Sequence, residues 1–189
     1  IALLATLSIH KVIPIGLSIG GLIAQELYRK RPELVDKLIL TNTATKIGSE
    51  ENWNQRIQAV KEKGLSSISD LILSRWFGSG FAANHPDRCA MAKAILLQTS
   101  DAGYVASCQA LAGADLTAYA SSIQVPTLCI AGSHDQATPT HIVSAMADLI
   151  PQSECFELPG VGHIPCLEAE KEFTQTILNF LSKYEEGDS

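Results

Sequence analysis

Gly16-Leu17-Ser18-Ile19-Gly20-Gly21 is the stretch on which the fold turns. The run before it, Lys11-Val12-Ile13-Pro14-Ile15-Gly16, reads as a short buried strand despite its proline. Gly20 to Arg31 carries Leu22, Ile23, Glu26, Leu27 and Arg29 at helical spacing, and Pro32 stops it. A second apolar run, Val35 to Leu40, comes straight after, so the order is strand, helix, strand. In that setting G-x-S-x-G reads as a tight strand-to-helix turn. Glycine at both flanks removes Cβ clashes, the Ser18 hydroxyl is lifted off the strand end, and the Ile19 N–H at the helix start can face a developing oxyanion. A phosphate-binding turn fits less well, because Ser18 occupies the second glycine position of G-x-G-x-x-G and the Walker A lysine is missing.

Working outward, Leu38-Ile39-Leu40 suits a parallel strand covered on both faces, and Val125 to Ala131 and Cys155 to Leu158 read the same way. Helices at Thr138 to Ile150 and Glu168 to Tyr184 complete an α/β alternation. Ile1 to Ser8 reads as the last turns of an apolar helix, and Glu185 to Ser189 as a frayed tail. Residues 48–123 differ: Trp53, Ile57 and Val60, then Leu71, Ile72, Arg75 and Trp76, keep a helical period with no convincing strand. The breakers Gly64, Gly78-Ser79-Gly80, Pro86 and Gly113 divide this stretch into about four helices. The expected organisation is an α/β core of mostly parallel sheet, residues 1–47 and 124–189, with a helical cap at 48–123.

The 189 residues, 46% hydrophobic and 18% charged, exclude a disordered tail, a collagen and a coiled coil. Every apolar run is broken before the roughly 20 residues a membrane helix needs, so no membrane partner is expected. A net charge of −6 with unclustered basic residues lacks the counterion-release attraction that drives nucleic-acid binding. Five widely spaced cysteines, without a C-x-x-C pair or histidines at zinc spacing, point to no metal and to a reducing cytoplasm, with most of them filling the core. No motif bears on oligomeric state.

A serine at its free pKa is a poor nucleophile, so Ser18 needs a general base, and that base needs an orienting carboxylate. Of five histidines, His163 is best placed, in the glycine-bracketed loop Leu158-Pro159-Gly160-Val161-Gly162-His163 after the last expected strand. His10, His85, His134 and His141 read as solvated or locally bonded. Asp135 follows the Val125 to Ala131 strand by a few residues, where a loop can aim a carboxylate across strand ends, whereas Asp148 suits a solvated helix face.

The order Ser18, Asp135, His163 is the order of α/β-hydrolases. Within that fold the sequence resembles the 3-oxoadipate enol-lactonases of aromatic-compound catabolism, over nearly its whole length. The resemblance is carried by Leu40-Thr41-Asn42-Thr43-Ala44-Thr45-Lys46-Ile47-Gly48, Trp53-x-x-Arg56-Ile57, Arg75-Trp76-Phe77, Gly103-Tyr104 and Cys108-x-Ala110. Pro126-Thr127-Leu128-Cys129-Ile130-Ala131-Gly132, Asp135-x-Ala137-Thr138-Pro139 and Gly162-His163 add to it.

The resemblance implies hydrolysis of an anionic small-molecule lactone, 3-oxoadipate enol-lactone, in the β-ketoadipate pathway, without metal or organic cofactor. It implies Ser18, Asp135 and His163 as catalytic residues, Ile19 as an oxyanion donor, and a cation for the substrate carboxylate. Arg75 is the first candidate for that cation, beside Trp76 and with Trp53 near; Arg56 is the second. A carboxylesterase, a carbon–carbon bond hydrolase, a perhydrolase and a noncatalytic ligand binder would share the same motifs. The family normally places several strands and a second oxyanion donor before the serine strand, whereas this chain opens Ile1-Ala2-Leu3-Leu4. The expectation is a lactonase lacking its N-terminal portion, aggregating or poorly active as these residues alone.

Overall fold

The computed structural model describes residues 1–78 and 80–184. Helix α1 (Ala2–Thr6) leads to strand β1 (Ile15–Leu17), helix α2 (Ile19–Lys30) and strand β2 (Leu38–Thr41). Helices α3 (Glu50–Lys63), α4 (Ser69–Ser74), α5 (Phe81–Asn84), α6 (Pro86–Gln98) and α7 (Asp101–Gly113) come next. The chain then returns as β3 (Thr127–Gly132), α8 (Thr140–Leu149), β4 (Ser153–Leu158), α9 (Pro165–Glu168) and α10 (Glu170–Ser182).

The strands form one parallel sheet in the order β1-β2-β3-β4. Because all four run the same way, Leu17, Thr41, Gly132 and Leu158 end on a single edge, and the loops leaving them are neighbours. Side chains alternate across the pleat, so β2 and β3 each feed two cores. Leu38, Leu40, Cys129 and Ala131 pack with Tyr28 of α2 and with Val143 and Met146 of α8. Ile39, Leu128 and Ile130 face the other way, onto Ile177 and Phe180 of α10. Helices cover both faces of β2 and β3, which are buried along their whole length.

Several boundaries differ from expectation for identifiable reasons. Pro14 has no N–H to give a ladder, so Val12 makes only a lone bridge to Val35 and continuous pairing begins at Ile15. Residues Pro32–Leu34 wind into a 3₁₀ turn, which delays β2 until Leu38. Strand β4 is an edge strand with Phe156 47% exposed, not a strand covered on both faces. The last helix is divided at Ala169, which leaves the helical region at φ −141°. Among its described residues the 48–123 stretch makes five α-helices rather than about four; the extra break falls at Thr99 and Ser100, where the Ser100 hydroxyl accepts from the Gly103 N–H and caps α7. Val60, Leu65, Ile72 and Leu96 gather there into a cluster of their own.

Only Cys108 and Cys129 are buried; Cys89 is half-buried, and Cys155 and Cys166 are exposed, so the cysteines do not mostly fill the core. Helix α1 buries no residue, and β1 has no partner on its outer edge among the described residues. Among those residues no helix is long and apolar enough to cross a membrane, and no group of three or more His, Cys, Asp and Glu could hold a metal ion. The tail expected to fray, Glu185 to Ser189, lies outside the described residues.

Candidate active site

Ser18 sits between β1 and α2 with φ 54° and ψ −119°, a conformation that costs a non-glycine residue on the order of 1–3 kcal/mol. Three contacts over-determine it. Its N–H donates to the Thr41 carbonyl (3.1 Å), and its own carbonyl accepts from the Gly21 N–H (2.9 Å) and from Thr43 Oγ1 (2.7 Å). The need for glycine is not where the motif suggests. A Cβ on Gly16 would lie 2.3 Å from the Gly20 carbonyl oxygen and one on Gly21 2.4 Å from Thr43 Cγ2, whereas one on Gly20 would meet nothing within 4 Å. The turn therefore excludes side chains at Gly16 and Gly21 and leaves room for one at Gly20. Helix α2 starts at Ile19, so the Ile19 N–H is among the first-turn donors with no intrahelical acceptor.

Asp135, in the loop after β3, and His163, in the loop after β4, are 4% exposed each. His163 Nδ1 and Asp135 Oδ2 are 2.7 Å apart. The same carboxylate oxygen accepts from Asn42 Nδ2 (2.8 Å) and Thr138 Oγ1 (2.7 Å), while Oδ1 accepts from the N–H groups of Ala137 (2.7 Å) and Thr138 (3.0 Å). Burial pushes the Asp135 carboxyl up, but the bonds from His163, Asn42 and Thr138 outweigh it and hold it below its ordinary value. The result is a buried, ionised carboxylate with both oxygens occupied and an imidazole fixed at Nδ1, which leaves Nε2 for chemistry.

Ser18, Ile19 and His163 line one cavity of about 310 Å³. No hydrogen bond joins the Ser18 hydroxyl to His163 among the described residues; such bonds commonly tighten only once substrate is bound. Trp53, Arg56, Arg75 and Trp76, all from the helical stretch, line the same cavity. Arg75 Nη2 donates to the Gln136 carbonyl (2.7 Å). Arg56 lies 5.1 Å over the Trp53 ring and donates from Nη1 to the Tyr104 hydroxyl (3.3 Å). Neither guanidinium has a carboxylate within 4.0 Å among the described residues. A larger hollow of about 640 Å³ shares Asp135 but is lined by neither Ser18 nor His163. His10, His85, His141 and Asp148 are exposed and lie away from the cavity, as expected.

The family described as alpha/beta hydrolase fold matches residues 2–170. The chain belongs to that family. The hydrolase is 34% identical over 184 residues to 3-oxoadipate enol-lactonase 2 of Acinetobacter baylyi, an alignment covering 97% of this chain and 68% of that protein. It superposes on the crystal structure of the enol-lactonase from Burkholderia xenovorans with a TM-score of 0.92 at 33% identity, covering 95% of this chain and 69% of that one. A thermophilic esterase from Thermogutta terrifontis gives a TM-score of 0.89 at 29% identity, covering 96% and 68%. The hydrolase thus spans about two thirds of the length of these relatives.

Sequence reasoning missed three residues that support the site. Asn42 is fully buried, sits at φ 46° just past β2, and donates to both Asp135 Oδ2 and the Gly162 carbonyl (3.0 Å). Thr138 completes the carboxylate's shell. In the sequence both stood only within stretches that carry the family resemblance, Asn42 just past β2 and Thr138 three residues after Asp135. Glu168 gave no such signal: its oxygens accept from the N–H groups of Gly78 (2.7 Å) and Gly162 (3.0 Å). Burial, with Asp135 nearby, pushes its carboxyl up against the lowering effect of those N–H groups.

Proposed function

We propose that the hydrolase opens a small anionic enol-lactone, with 3-oxoadipate enol-lactone as substrate, by serine chemistry. What carries the reading is one cavity that holds a strained serine, a carboxylate-backed imidazole and two guanidinium groups without carboxylate partners. His163 takes the proton from Ser18 as the hydroxyl oxygen attacks the lactone carbonyl, and the Ile19 N–H stabilises the oxyanion. Asp135 stays ionised and stabilises the imidazolium. The ring C–O bond then breaks; the enol oxygen leaves with the proton from His163 and tautomerises to a ketone, which makes opening favourable. Water, deprotonated by His163, attacks the acyl carbon, the carboxylic acid departs and Ser18 recovers its proton.

Arg75 receives the substrate carboxylate, Trp53 and Trp76 supply the apolar walls, and residues 48–123 act as a cap on a core made of 1–47 and 124–189. No cofactor takes part, and the reducing cytoplasm is the compartment the free cysteines suit. Ser18→Ala should retain the circular dichroism and melting behaviour of the native chain and lose enol-lactone turnover. Undiminished turnover in a folded variant overturns the assignment. A p-nitrophenyl ester assayed in parallel separates a lactonase from a general carboxylesterase.

A further inference from the structure

The loop that bears His163 and the segment that bears Arg75 and Trp76 come from opposite parts of the chain, yet they touch backbone to backbone. The His163 N–H donates to the Trp76 carbonyl (2.6 Å). A Cβ on Gly162 would lie 2.5 Å from the Gly78 nitrogen and 2.6 Å from the Trp76 carbonyl oxygen, and one on Gly78 would lie 2.4 Å from the Gly160 carbonyl oxygen. Such an approach leaves N–H groups on both strands of chain without ladder partners, and a single side chain takes one from each. Glu168 Oε2 accepts from Gly78 and Oε1 from Gly162, the residue before His163. Glu168 does not line the cavity, so it does not touch a substrate there.

We propose that Glu168 is a positioning residue that staples the Arg75–Gly78 segment to the His163 loop, so that the substrate-lining wall and the imidazole keep one fixed relation. The proposal rests on the reading of Ser18 and His163 as nucleophile and base. Alanine removes both acceptors. Glutamine keeps one oxygen and turns an NH₂ toward the other N–H, so it restores half of the bridge.

The test compares Glu168→Ala, Glu168→Gln and a control, Val143→Ala, which opens a cavity on the far face of the sheet and lowers Tm without touching either loop. The readouts are kcat and KM for the enol-lactone and the rate at which a fluorophosphonate labels Ser18. Glu168→Ala should lower both kcat and the labelling rate at least tenfold and raise KM, Glu168→Gln should fall between, and Val143→Ala should leave all three near native values. Native labelling and kcat in either Glu168 variant overturn the proposal, as does an equal loss in the control at matched Tm. A native chain that is labelled but does not open the lactone refutes only the substrate assignment, with the labelling comparison still deciding Glu168. A native chain that resists labelling overturns both.

Discussion

Replacing Asn42 by alanine removes a buried amide that donates to Asp135 Oδ2 (2.8 Å) and the Gly162 carbonyl (3.0 Å) and accepts from Thr41 Oγ1 (2.9 Å). Asp135 Oδ2 keeps Thr138 and His163, so the groups left stranded are the Gly162 carbonyl and the Thr41 hydroxyl. Each buried orphan costs about 1–3 kcal/mol, which puts the loss at about 2–6 kcal/mol. Asn42→Asp keeps the volume but sets a second carboxylate against Asp135, and two unit charges about 4 Å apart at an effective dielectric of 20 repel by about 4 kcal/mol. The pair then holds a proton in the folded state that the unfolded chain releases, so its apparent pKa is raised. Stability of this variant is fullest below the ordinary carboxylate pKa and is lost as pH rises through the raised value. The native chain behaves oppositely: Asp135, held below its ordinary value, contributes fully above that value and loses its contribution as pH falls through the folded pKa. Urea midpoints at pH 5 and pH 8 should therefore show the gap between Asn42→Asp and native widening with pH. A gap that narrows, or an aspartate variant no less stable than Asn42→Ala at pH 8, refutes the reasoning.

Gly20→Ala should be tolerated and should raise Tm, by up to about 1 kcal/mol of helix propensity, while Gly16→Ala should prevent folding or abolish activity, because its Cβ would overlap the Gly20 carbonyl. Thermal melts of both settle it. Arg75→Gln should raise KM for the anionic lactone roughly 10- to 100-fold, the equivalent of one charge-assisted bond, and should barely move a neutral ester; equal effects on both substrates would remove Arg75 from the carboxylate site. Arg56→Gln, assayed the same way, should have the smaller effect. Asp135→Asn should leave a folded chain with kcat reduced on the order of 10³-fold or more, through loss of the imidazole's orienting acceptor; near-native kcat would exclude Asp135 as that acceptor.

The parallel α/β order, the turn at Ser18 and the pairing of Asp135 with His163 were all legible in the sequence, because each is written locally: an apolar run, a glycine-flanked serine, a polar residue following a strand. The exposure of β4 was not legible, since an edge strand and a central one can share the run Cys155 to Leu158 and only neighbours distinguish them. Asn42 was visible only as part of a resemblance, and its role depends on a residue 93 positions away. Glu168 reaches Gly78, 90 residues away, and nothing in the composition of either stretch announces the other. Requirements created by approach between distant stretches of chain are those that pattern reading cannot reach. The same is true of Gly21, whose missing side chain answers to Thr43 rather than to its own turn.

The register between β2 and β3 has a bearing on how this hydrolase can change. Thr41 pairs with Ile130 and Leu38 with Thr127, so the long helical excursion leaves at the last residue of β2 and re-enters, as a parallel crossover, at the first residue of the adjoining strand β3, the two strands lying about 4.8 Å apart. Ser18, Asp135 and His163 all lie outside that excursion. Substitutions at its cavity-lining residues Trp53, Arg56, Arg75 and Trp76 should reshape what the cavity accepts without altering a strand residue, so new substrates should be open to this scaffold through one contiguous segment of chain. A wholesale exchange must still conform where the excursion meets the core: at the Gly78 edge beside the His163 loop, at Arg75 and Arg88, which donate to the Gln136 (2.7 Å) and Leu167 (2.6 Å) carbonyls, at Leu116, whose N–H donates to the Thr45 carbonyl (2.9 Å), and at Ala120 and Ile123, which pack beneath the sheet.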